Sequence, residues 1–125
     1  MTDPMTPAAL ADQAAEAIRS LNHATLSKRE GWQYPVDAYD VVGDLARLAM
    51  MLPQALQQTG KFVDDLADSG CMGVDGAGRE AGTTVPVMQA DVASSLISAV
   101  TLAQQLQVEL NHAQAALSHA TYVQD

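Results

Sequence analysis

Apolar residues recur at helical spacing in three stretches of the chain, separated by two stretches where no period survives. The first stripe is Leu10, Ala14, Ala17, Ile18, Leu21 and Ala24. Residues three and four apart share a helix face, so the stripe predicts a helix over about 7–26. Thr6-Pro7 marks its start. A Thr side chain can cap an exposed amide, and Pro at the first helical position gives up an N–H that has no partner there. The second stripe is Val41, Val42, Leu45, Leu48, Ala49, Leu52, Ala55 and Leu56, continued by Phe62, Val63 and Leu66. It predicts a helix over about 38–68, capped by Asp37, with Asp40 adding negative charge to the first turn. Pro53 lies inside this pattern and predicts a kink near Ala49, and Gly60 is the point where a break is expected if there is one. The third stripe is Leu96, Ala99, Ala103, Leu106, Leu110, Ala113 and Leu117, with Ala120 beyond. Its alternating steps of three and four form a heptad seam. With Thr83 or Thr84 as cap and Pro86 in the first turn, it predicts a helix over about 85–122.

The two aperiodic stretches read as connections. In the first, Gly31 permits a left-handed turn and Pro35 disfavours helix at Tyr34. Residues 69–83 hold Gly70, Gly73, Gly76, Gly78 and Gly82, and read as a flexible connection. Composition agrees with an all-α chain. Ala supplies 22 residues, Leu 13 and Gln 11, but Ile only 2. The expected fold is a single domain over residues 1–125: an antiparallel bundle of three main helices. The last helix carries extra apolar residues at Ile97, Val100, Leu102 and Val108. Between Pro86 and Tyr122 its ionised groups are Asp91 and Glu109. A helix apolar on more than one side needs neighbours on more than one side. Self-association through Leu96, Ala99, Ala103, Leu106, Leu110, Ala113 and Leu117 is therefore expected, giving a homo-oligomer.

Charge narrows the partners. Acidic residues outnumber basic ones 15 to 6, for a net charge of -9. That opposes direct binding to nucleic acid or to anionic lipid, both of which call for clustered Lys and Arg. No unbroken apolar run approaches the ~20 residues of a membrane span. Met1-Thr2-Asp3-Pro4 lacks the basic and apolar regions of a leader, so a cytoplasmic location is expected. One cysteine, Cys71, cannot build a disulfide framework.

Motifs that could carry chemistry are few. Leu-Asn-His-Ala occurs twice, placing Asn22-His23 and Asn111-His112 in separate predicted helices. Convergence of the two copies would make a polar pocket for a small molecule; otherwise they are ordinary helix-surface residues. His112 and His119 lie seven apart, too far to share one metal ion unaided. Asp64, Asp65, Asp68 and Asp75 fit no calcium-loop register. Gly76 to Gly82 misses the dinucleotide spacing, and no strand precedes it. No metal, cofactor or catalytic residue is expected. Trp32, Tyr34 and Tyr39 gather aromatic surface near one connection. They read either as a partner-binding surface or, for Trp32 and Tyr34, as a lid over one end of the bundle.

Trp32-Gln33-Tyr34-Pro35-Val36-Asp37-Ala38-Tyr39-Asp40-Val41-Val42-Gly43-Asp44-Leu45-Ala46-Arg47-Leu48, with Leu52-Pro53-Gln54-Ala55-Leu56, resembles a pattern in small helical proteins of actinobacteria. Ala17 to Thr25 resembles the start of the same proteins. This resemblance covers about the first half of the chain and implies no activity. Gly31-Trp32-Gln33-Tyr34 is also similar to the Trp-x-Gly turn of the acidic helical-hairpin substrates of type VII secretion. The expected function is a non-enzymatic module that binds itself and another protein. The other readings are a small-molecule site at the Asn-His pairs, and an acidic regulator that occupies the basic surface of a nucleic-acid-binding protein.

Overall fold

The computed structural model describes residues 5–124 and is all-α. Its elements are α1 (Pro7–Ala24), α2 (Pro35–Asp68), α3 (Gly76–Glu80) and α4 (Val85–Leu117). Met1-Thr2-Asp3-Pro4, read above for a leader, lies outside the described residues.

Local chemistry sets the helix starts. Thr6 Oγ1 accepts from the Ala9 amide at 3.1 Å, and Thr84 Oγ1 from the Val87 amide at 3.3 Å. Each is followed by a Pro in the first turn. α2 begins three residues earlier than expected. Pro35 is its first residue, and Asp37 reaches back from inside the first turn. The Asp37 carboxylate accepts from the amides of Gln33 at 3.0 Å and Tyr34 at 2.9 Å. These two donors hold the Asp37 carboxyl below the usual carboxylate range.

α2 then runs 34 residues through both Pro53 and Gly60 without interruption. It ends at Gly70, whose φ of +77° carries the chain out of the helix. The Cys71 amide donates to Leu66 O at 3.0 Å and the Gly70 amide to Ala67 O at 3.2 Å, the pair of bonds that defines a Schellman stop. α3 ends the same way at Gly82 (φ +82°), with Thr83 N–H donating to Gly78 O at 2.8 Å. The glycine-rich connection thus contains a capped helical turn between two glycine stops. α4 stops at Leu117, five residues short of the expected end, where the Ser118 hydroxyl donates to Ala115 O at 2.6 Å.

α2 and α4 pack antiparallel. Gly43, near the start of α2, lies against Gln114 near the end of α4, and Gly60 lies against Leu96. The centre of this seam is made of small side chains. The buried apolar residues among those described are Ala46, Ala49 and Ala103. Alanines let two helix axes approach closely. They hide little area, however, because a side chain contributes in proportion to the surface it removes from water. α1, expected as the third member of the bundle, stands apart. Among the described residues, no α-carbon of α1 lies within 8 Å of one in another helix.

Candidate interaction surface

The buried face of α4 includes Val85, Met88, Gln89, Val92, Leu96, Ala99, Ala103, Gln107, Leu110, Gln114 and Leu117, all wholly or partly covered. Of the seam expected for self-association, Leu96, Ala99, Ala103, Leu110 and Leu117 thus face α2 of the same chain. Leu106 and Ala113 do not. Gln107 and Gln114 take the intervening places, and Leu106 is left 48% exposed. Gly43 explains the choice at one end. With no side chain there, the Gln114 carboxamide lies over the α2 backbone and donates to the Tyr39 carbonyl at 3.5 Å. At the other end Gln89 Nε2 donates to Asp64 Oδ1 at 3.0 Å and reaches Asp68 Oδ1 at 3.4 Å. Two glutamines of α4 therefore tie down both ends of the helix pair.

The flanks of the pair are apolar and open. On one side α2 presents Val41, Leu45, Leu48, Leu52, Val63 and Leu66, all half-buried. Their helical positions share one edge of the α2 wheel, and Leu102, Leu106 and Ala113 share the matching edge of α4. Phe62, Leu102 and Leu106 are each about half or more exposed there. The opposite side carries a groove of about 380 Å³. Leu56, Gly60, Leu96 and Val100 form its floor, and Gln57, Lys61, Asp64 and Thr101 its polar margin. Lys61 is held to Asp65 at 2.9 Å, a contact that raises the affinity of its amine for the proton. Ile97 lines this groove and Val108 lies further along the same side.

One of the aromatic residues, Tyr34, meets the tail of the chain. Arg29 and Trp32 exchange backbone bonds around a tight turn, N to O at 3.4 and 2.9 Å, with Gly31 at φ +81°. Tyr34 stands edge-on to Tyr122, ring centroids 4.9 Å apart at 79°. Trp32 and Tyr39 are partly covered. Sequence reasoning missed this pairing, because Tyr122 lay in the predicted continuation of α4.

The two Asn-His pairs are not brought together. Asn22, His23, Asn111 and His112 are all exposed, and the helices that carry them do not pack on each other. His23 lies on the α1 face that also bears Asp12, Glu16 and Arg19, opposite the apolar stripe. Among the described residues no three His, Cys, Asp or Glu side chains converge as metal ligands. Cys71 is exposed, just past the α2 stop.

By length and composition α4 could cross a membrane, although its sequence has no unbroken apolar run. Its partner α2 carries Asp40, Asp44, Arg47, Lys61, Asp64 and Asp65. Each charge would cost about 2.5–3.5 kcal/mol at a bilayer centre, which opposes burial of the pair in lipid. Comparison of the chain with protein families, with characterised proteins and with solved structures finds no match.

Proposed function

We propose that this chain is a helical interaction module that associates with itself through the open apolar flank of the α2/α4 pair. The observation that carries the reading is the exposed area. The chain leaves 9422 Å² accessible. A compact monomer of 13.2 kDa exposes about 6,400 Å². The excess of about 3,000 Å² is more than three times the roughly 800 Å² that a standard interface hides on each partner. It is rich in Leu, Val, Met and Phe side chains, and a lone pair of helices joined by alanines offers little else to hold it folded. Association supplies the missing burial without any catalytic group.

The test is molar mass by light scattering across a concentration series. A dimer or larger assembly that persists at micromolar concentration is the expected result. A monomer throughout the series overturns the reading. A Leu102→Asp/Leu106→Asp variant should then shift the full chain toward monomer, whereas Gln104→Asp/Gln105→Asp should not.

A further inference from the structure

We infer that the occupant of the Leu/Val flank is α1 of a second copy, so that the assembly is a dimer with exchanged N-terminal helices. This rests on the self-association proposed above and specifies what docks.

Each chain carries two unpartnered apolar faces of matching kind. One is the α2/α4 flank of Val41, Leu45, Leu48, Leu52, Leu102 and Leu106. The other is the α1 stripe of Leu10, Ala14, Ala17, Ile18, Leu21 and Ala24, with Asp12, Glu16 and Arg19 opposite it. A helix with that division of faces is built to lie on an apolar groove. At 1.5 Å per residue, its 18 residues span about 27 Å, roughly half the length of the α2/α4 pair.

The hinge favours a second copy over the chain's own pair. α1 is joined to its own pair by residues 25–34 and, among the described residues, does not pack on it. Within them, the Arg29–Trp32 turn is closed by two backbone bonds, and Gly31 is in the left-handed region. The far end of this connection is pinned by Asp37 on the Gln33 and Tyr34 amides, and by Tyr34 on Tyr122. With that turn formed, α1 makes no helix–helix contact with its own pair. Delivering it to a neighbour keeps the turn intact, and two-fold symmetry gives each pair one incoming helix. The area also fits, since the exposed excess exceeds what a stable dimer needs from each partner.

The experiment uses full-length chains in which Cys71→Ser removes the native thiol. One chain carries Leu21→Cys in α1. Its size-tagged partner carries Leu45→Cys, Leu48→Cys or Leu52→Cys in α2. The two are co-refolded and oxidised, with helix content checked by circular dichroism. The expected result is a disulfide between the two chains for at least one α2 position. A chain carrying both cysteines should likewise yield covalent dimers. If the doubly substituted chain closes on itself as a monomer and the mixed chains do not cross-link, α1 folds back and the inference is overturned. If light scattering shows a dimer but no position cross-links, the exchange is overturned while self-association stands. As a second readout, Ile18→Asp/Leu21→Asp should weaken dimerisation on the order of 100-fold, and Arg19→Asp on the opposite face should leave it unchanged. Equal dimerisation of all three proteins also overturns the exchange.

Discussion

α1 and α4 invert the usual link between pattern and packing. α1 has the sharper division into apolar and charged faces, and no other helix of its own chain packs on it, although Ile18, Leu21 and Ala24 are partly covered. α4 is apolar nearly all round and has a neighbour on one side. The difference lies in what each offers a second helix at close range. α2 and α4 meet through Gly43, Ala46, Ala49 and Ala103, which let their backbones approach, and Gln89 and Gln114 hold the ends. α1 offers Leu and Ile to a groove but no anchoring polar bond. An amphipathic stripe therefore states that a helix needs a cover. The small residues and polar ties state which cover it has.

The sharpest way to break this contrast is to enlarge the seam. Ala49 has no exposed surface, and Ala49→Leu should cost about 1–3 kcal/mol by overpacking. Thermal unfolding followed by circular dichroism would show a fall in midpoint of several degrees. Ala14→Leu, on the open α1 stripe, should leave that midpoint unchanged or raise it. Next in size are the caps. Thr84→Ala should cost about 1 kcal/mol of α2/α4 stability, while Thr6→Ala frays α1 and lowers the midpoint only by weakening dimerisation, an effect that grows on dilution. Gly43→Ala comes third. The added methyl meets the Gln114 carboxamide, offsetting the roughly 0.5–1 kcal/mol that Ala gains over Gly inside a helix. Gly43→Ala with Gln114→Ala should recover that gain, so denaturant unfolding of the two variants and their combination measures the tie.

The smallest effect is a response to acid at the α2 start. Asp37 is held below its ordinary value by two amide donors, so its contribution is present above the unfolded value near about 4. It is lost as the pH falls through the lower folded value. Amide protection at Gln33 and Tyr34 should decline over that acid range in the native protein. In Asp37→Asn the acid dependence should be absent.

Much of this architecture was legible in the residues themselves. Thr6-Pro7 and Thr84 announced two helix starts, and the three stripes placed three long helices within a few residues of their ends, apart from the early stop at Leu117. The self-association seam is where reading by hydrophobicity parted from the structure. Ala103, Leu110 and Leu117 define a line along α4, and the rest of the seam can lie on either side of it. Counting apolar residues selects Leu106 and Ala113. α2 instead sits on the side of Gln107 and Gln114, because Gly43 leaves room for an amide there. That preference depends on a residue more than 70 positions away, and no local period encodes it. The separation of α1 was equally hidden, since its stripe would suit an internal groove as well as an external one. The stops at Gly70 and Gly82 were visible as glycines but not as geometry, because composition alone does not distinguish a Schellman stop from a slack linker.

The capped turn of α3 also bears on how the pair closes. Gln89 meets Asp64 across 25 residues, whereas Gln114 meets Tyr39 across 75. Loop closure grows costlier with separation, by about 0.6 kcal/mol for each doubling, so pairing should nucleate beside α3 and zip toward the far end. The last rung to close, and the first to open, is then the one beside the Tyr34–Tyr122 contact and the α1 hinge. Breathing of the helix pair would be concentrated where the N-terminal helix is attached, leaving the glycine-rich end as the molecule's clasp.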